Sequence, residues 1–137
     1  MMPETTPPNG GGDAGSLVVE IPSPVADLLD RITILRIKAA RIDGPPREHV
    51  QRELALLQAR WTFGSVPEAD RLESVNQELW DVEDALRSHE AKADFGESFV
   101  ELARSVYRLN DERARLKRAV NQRLGSSLIE VKAYTNS

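Results

Sequence analysis

Arg113 is the residue best placed in this chain to do chemistry. It interrupts an apolar heptad stripe of Phe99, Leu102, Val106, Leu109, Leu116 and Val120, standing where the next apolar residue belongs. Asn110 and Lys117 lie on the flank of the same seam. A guanidinium and an ammonium on one helical face, with an amide between them, are the parts of an anion clamp. They hold a carboxylate and, in a dry pocket, stabilise charge that develops in a transition state. The same residues also suit a structural ion pair that sets helix register. In an antiparallel hairpin with the preceding helix, Arg113 comes level with Asn76 and Glu78, and Lys117 with Glu73. The candidate polar or ligand site is therefore Arg113, Asn110, Lys117, Glu83 and Asn76. It is read first as a register-fixing device and second as half of an anion-binding site.

Other chemistries find little in the residue types. There is no Cys, so neither a disulfide framework nor a thiolate is available. A nucleophilic triad needs a Ser beside a His and an orienting acid, and neither His49 nor His89 neighbours such a Ser. The acidic residues lie at solvated helical spacings rather than as a glycosidase pair. A helical carboxylate metal site needs Glu-x-x-His, which Leu86-Arg87-Ser88-His89 does not supply, and His49 with Glu53 is only an i,i+4 surface pair. No metal and no cofactor is expected. The enzyme template that fits best is a chorismate-mutase-like bundle, which needs neither and clamps a dicarboxylate with Arg and Lys. Arg31, Arg36 and Lys38, with Arg113 and Lys117, supply its cations, and Glu83 or Asn110 the contact to an ether oxygen.

Four helical segments must position these groups. The first has Ser23 as N-cap and Pro24 as its first residue, followed by Val25, Leu28, Leu29, Ile32, Leu35 and Ala39 on one face. Ile34 and Ile37 widen that face, as in a helix contacted from more than one side. Gly44, Pro45 and Pro46 stop it near Ile42. A second helix, about Pro46 to Thr62, carries Val50, Leu54, Leu57 and Trp61 and stops at Gly64. The third opens on a capping box, Ser65-Val66-Pro67-Glu68, and its stripe is Leu72, Val75, Leu79, Val82 and Leu86. The fourth opens on Asp94-Phe95-Gly96-Glu97 and runs to Leu124, with Gly125 as its stop. It is longer than the first two, so one end protrudes or pairs with a second chain. Leu17–Ile21 and Leu128–Tyr134 read as short extended or strand-like segments near the two ends. The Pro- and Gly-rich residues 1–16 read as a disordered tail ahead of a single helical domain, 17–137.

The fold class expected is all-α, built as two antiparallel helical hairpins. The chain has 137 residues, 40% hydrophobic and 29% charged, which suits amphipathic helices with solvated outer faces. Its net charge of -4 gives no global support for nucleic-acid binding. No apolar run approaches the roughly 20 residues of a membrane span. The N-terminus carries no basic segment followed by an apolar core, so the cytoplasm is the default compartment. Acidic residues predominate on the third helix and basic ones on the fourth, which favours their pairing. Tyr107, Trp80 and Tyr134 offer sugar-stacking surfaces, but core or dimer contacts suit their positions better. Trp61 reads as the cap of a core.

Four stretches together resemble a family. They are Asp27–Lys38, Asn76–Asp84, Ala103–Ala114, and Gly125-Ser126 with Glu130, Lys132 and Tyr134. They look like an uncharacterised family of small bacterial proteins, a domain of unknown function associated with genes for glycosyl transfer and lipopolysaccharide assembly. The chain departs from that pattern in its tail and at Val131, where an acidic residue is expected. The resemblance implies a bacterial source and a surface-polysaccharide setting. It supplies no catalytic residue. The resulting expectation is a non-enzymatic interaction or accessory protein, a homodimer with a possible protein partner, inserting into no membrane. The alternative is an anion-binding helical bundle or a chorismate-mutase-like enzyme.

Overall fold

The computed structural model describes residues 17–131. The expected tail lies outside them, as do Lys132 and Tyr134. Four helices follow one another: α1 (Val25–Arg41), α2 (Pro45–Arg60), α3 (Ala69–Ala91) and α4 (Glu97–Leu124). The fold is all-α, and no strand forms among the described residues. Leu17–Ile21 and Leu128–Val131 are irregular and exposed.

The two hairpins are α1–α2 and α3–α4, and α1 is the hub because it packs on all three other helices. This is the reason for its broad apolar face. Ala26, Leu29, Ile32, Leu35 and Ile37 are all buried. α2 rests on α1 alone and buries none of its residues, so its stripe contributes a flank rather than a core. One buried cluster joins Ala26, Leu29, Val66, Leu72 and Val120, with Trp61, Leu116 and Leu124 against them. Trp61 thus closes the end of the core, its indole N–H donating to the Gly64 carbonyl at 2.7 Å.

Helix starts follow tertiary contacts more than local caps. α1 begins at Val25 with Pro24 as N-cap, one residue later than expected, and Ser23 does not cap it. Its orphan N–H groups are met from the far end of the chain instead. Ala26 N–H donates to Asn121 Oδ1 at 2.8 Å, and Val25 N–H donates to Ser126 Oγ at 3.2 Å. Those acceptors are in place because α4 ends in a Schellman turn. Gly125 takes φ 68°, and Ser126 N–H returns to the Asn121 carbonyl at 2.8 Å. The same juxtaposition sets the positive end of α1 against the negative end of α4. Asn121→Ala is expected to cost about 1–2 kcal/mol, the value of a buried helix cap. Urea unfolding measures it, and a loss within a few tenths of wild type would show that the cap carries no weight.

Neither expected capping box forms. Glu68, not Ser65, occupies the N-cap of α3, and no side chain caps it. The buried Val66 pins the approach, Ala69 N–H reaches back to its carbonyl, and Glu68 is drawn to Arg123. At α4 the N-cap is Gly96. Asp94 is taken up in the turn between the helices, where its carboxylate meets His89 Nδ1 at 3.2 Å and accepts from Gly96 N–H at 3.4 Å.

The α3–α4 hairpin outruns the core. At about 1.5 Å per residue, α4 spans roughly 42 Å and α1 roughly 26 Å. α1 ends level with the middle of α3, where Arg41 bonds Asp81 at 2.6 Å and lies over the Trp80 ring. Beyond that height α3 and α4 continue as a two-helix arm. Leu72, Val75 and Leu79 at its base are buried, whereas Val82, Leu86, Leu102 and Val106 are half-buried.

Candidate functional site: a closed polar cluster at the helix junction

Arg113 lies where α1, α3 and α4 meet, and its partner comes from α1. Nε donates to Asp30 Oδ1 at 3.0 Å and Nη2 to Oδ2 at 2.5 Å, a bidentate fork. Asp30 is 5% exposed. Asn76 of α3 donates through Nδ2 to Asp30 Oδ1 at 2.9 Å and to Thr33 Oγ1 at 2.8 Å. The Thr33 hydroxyl donates in turn to the Asp30 carbonyl at 2.7 Å. Asn110 accepts from Arg113 Nη1 at 3.5 Å, the outer limit of a hydrogen bond. Three helices are therefore tied through one carboxylate, and each buried polar group of the cluster finds a partner within it.

Lys117 extends the network by one turn. Its ammonium lies 3.0 Å from Asp27 and 3.0 Å from Glu130, and only 13% of its side chain is exposed. The hairpin register puts Lys117 level with Glu73, but Glu73 pairs with Arg36 across α1 and α3. Glu78 turns to Arg71 rather than to Arg113. Glu83 stays out of the cluster on the exposed arm, beside Arg87. Of the five candidate residues, the fold brings together Arg113, Asn110 and Asn76, adjoins Lys117, and leaves Glu83 apart.

The electrostatics follow from this geometry. Burial pushes the Asp30 carboxyl up. The hydrogen bonds from Arg113 and Asn76, with the charges of Arg113 and Lys117, outweigh burial and hold it below the usual carboxylate range. The bond to Asp30 raises Arg113 above its ordinary value against the cost of its own burial. Burial lowers Lys117, but the bonds to Glu130 and Asp27 overcome it and leave the ammonium above its usual range. All three groups are held charged, a setting for structural ion pairing rather than for proton transfer near neutrality.

Asp30, the partner of Arg113, is not marked by the α4 seam. Its signal lies in α1, where Ala26, Asp30, Thr33 and Ile37 fall at 4-3-4 spacing and form a second stripe, all four buried. A carboxylate and a hydroxyl inside such a stripe call for a cation and a donor on the facing helices, and Arg113 and Asn76 supply them. Beside the cluster, Ala114, Lys117, Arg118, Asn121, Ile129 and Glu130 line a dent with room for about one water molecule. Among the described residues, no group of three or more His, Cys, Asp or Glu side chains is arranged to hold a metal ion. Among the same described residues, no helix is long and apolar enough to cross a membrane.

Comparison with known proteins places the chain without assigning it an activity. No curated protein and no solved structure matches it. One family model, described as a family of unknown function (DUF6165), matches residues 17–137. The chain belongs to that family, the match taking in all four helices and the whole polar cluster.

Proposed function

We propose that this protein is a non-enzymatic helical interaction or accessory protein that presents helix faces to a protein partner. The observation that carries this reading is the contrast between a closed interior and an open exterior. The cations that an anion clamp would use are taken up by carboxylates of the same chain, Arg113 by Asp30 and Lys117 by Asp27 and Glu130. The outer faces meanwhile keep apolar side chains in water. Val100 and Tyr107 of α4 are 43% and 57% exposed, and Leu56 and Phe63 near the end of α2 are 38% and 47% exposed. Bacterial surface-polysaccharide assembly, with the chain on the cytoplasmic side, is the setting that the resemblance suggests. Enzymes of glycosyl transfer are the first partners to examine there.

The test is capture of partners from the native host with the full chain, followed by the same capture with Leu56→Glu, Phe63→Glu and Tyr107→Glu. At least one substitution is expected to abolish recovery of a specific partner while helical circular dichroism stays unchanged. Recovery of no partner, or of partners indifferent to all three substitutions, would remove the proposal.

A further inference from the structure

α4 carries two adjacent stripes. One, from Phe99 to Val120, runs along α3 and reaches α1 through Arg113 and Val120. The other is Val100, Ala103, Tyr107, Asn110, Ala114, Lys117, Asn121 and Leu124, again at heptad spacing. Its lower half lies against α1: Asn121 caps it, Lys117 pairs with Asp27, and Leu124 packs on the core. α1 then stops near the height of Asp81, and the stripe continues up the arm as Val100, Ala103 and Tyr107. Among the described residues, α4 packs only on the helices α3 and α1, and Val100 and Tyr107 of this upper half stay exposed. The face that buries α1 below is thus apolar and open above.

The open half is its own complement. Glu97 and Arg104 are seven residues apart, on the same flank of the stripe. In antiparallel helix pairs, positions on that flank meet each other. Glu97 of one copy therefore meets Arg104 of the other, twice by symmetry, whereas parallel pairing turns Arg104 to the opposite flank, at Phe99, and leaves that ion pair unmade. The same register sets Val100 opposite Ala103 and Tyr107 opposite Gly96, each large side chain over a small one. A two-fold contact requires this self-complementarity, and a foreign partner does not.

We propose that a second copy of this chain docks on the upper stripe of α4, antiparallel, with the two-fold axis between Val100 and Ala103. The arm then closes as a four-helix bundle of two α3–α4 hairpins. The inference rests on the reading of the chain as an interaction protein and names one of its partners.

Purified full-length protein, with no host extract present, provides the test. Sedimentation equilibrium is expected to show a dimer in the micromolar range, and Val100→Glu with Tyr107→Glu a monomer of unchanged helicity. Glu97→Arg and Arg104→Glu are each expected to weaken the dimer by up to about tenfold. The two together exchange the charges and restore it, a rescue that a loss of folding would not produce. In a chain without cysteine, Ala103→Cys crosslinks two copies through a short bismaleimide, and Gln77→Cys on the exposed side of α3 does not. A monomer throughout the micromolar range, or single reversals that the double reversal fails to rescue, overturns the dimer. Host capture that persists in that case leaves the interaction-protein reading standing.

Discussion

Asp30→Leu is expected to destabilise the fold by about 3–5 kcal/mol, because it leaves a guanidinium and an amide partly buried without their acceptor. Arg113→Met should cost somewhat less, about 2–4 kcal/mol. The Arg113 side chain keeps 29% of its surface in water, but its removal strands the Asp30 side chain, which is 7% exposed. The decisive variant is the double replacement, Asp30→Leu with Arg113→Met. An ion pair that chiefly offsets its own desolvation can be exchanged for apolar volume at little loss, so the double variant should recover most of what either single variant loses. Urea unfolding of the four proteins at one concentration measures the coupling, since a chain that pairs gains stability with concentration. Strict additivity of the two single losses would show that Asp30 and Arg113 act independently.

The same pair makes the fold acid-sensitive. The Asp30 carboxyl is held below its unfolded-state value, so its contribution is fully present above that value, near pH 4. It is lost as pH falls through the lower folded-state value. Glu68 and Glu112 are lowered by their bonds to Arg123 and Arg71 and act in the same direction. The double variant should therefore keep a shallower acid transition of the same sign. If its stability below pH 4 fell as steeply as that of wild type, Asp30 would not be the group responsible.

Leu72→Ala should cost about 3–5 kcal/mol, whereas Leu86→Ala, two heptads along the same stripe, should cost about 1–2 kcal/mol. Leu72 has no exposed surface and packs in one buried cluster with residues of α1 and α4. Leu86 is half-buried in the arm, where only α4 faces it and the space left on truncation opens to water. Thermal unfolding with matched urea titrations compares the two. Equal losses would mean that the arm is as tightly covered as the base, a result that a dimer closed along the whole arm would itself produce at high concentration. Dilution separates the cases, because only cover from a second copy is lost as the dimer dissociates.

Much of this architecture is legible in the chain read alone, because its determinants are local. Apolar spacing marks each helix, Gly44 with the two prolines ends the first, and Gly125 ends the fourth in the left-handed turn that glycine favours. The break in the α4 stripe at Arg113 is equally visible, as is Asn76 level with it across the hairpin. The partner of Arg113 is not visible. Asp30 lies 83 residues away on a helix whose more obvious stripe runs through Leu29 and Ile32. Choosing it over Glu78 requires knowing that α1 fills the junction. The caps show the same limit. Ser23, Ser65 and Asp94 stand where local rules place a cap, yet α1 is capped by Asn121 and Ser126 from the opposite end of the chain.

Periodicity specifies which residues share a face of a helix, and in this chain it did so for all four. It does not specify what the face meets. The stripe of α3 repeats evenly from Leu72 to Leu86, but only the part alongside α1 is core, since α1 is too short to cover the rest. Stripe, stop and charge are properties of a few consecutive residues and can be read from them. Burial, ion-pair choice and capping depend on which helices become neighbours, and only the tertiary structure decided that.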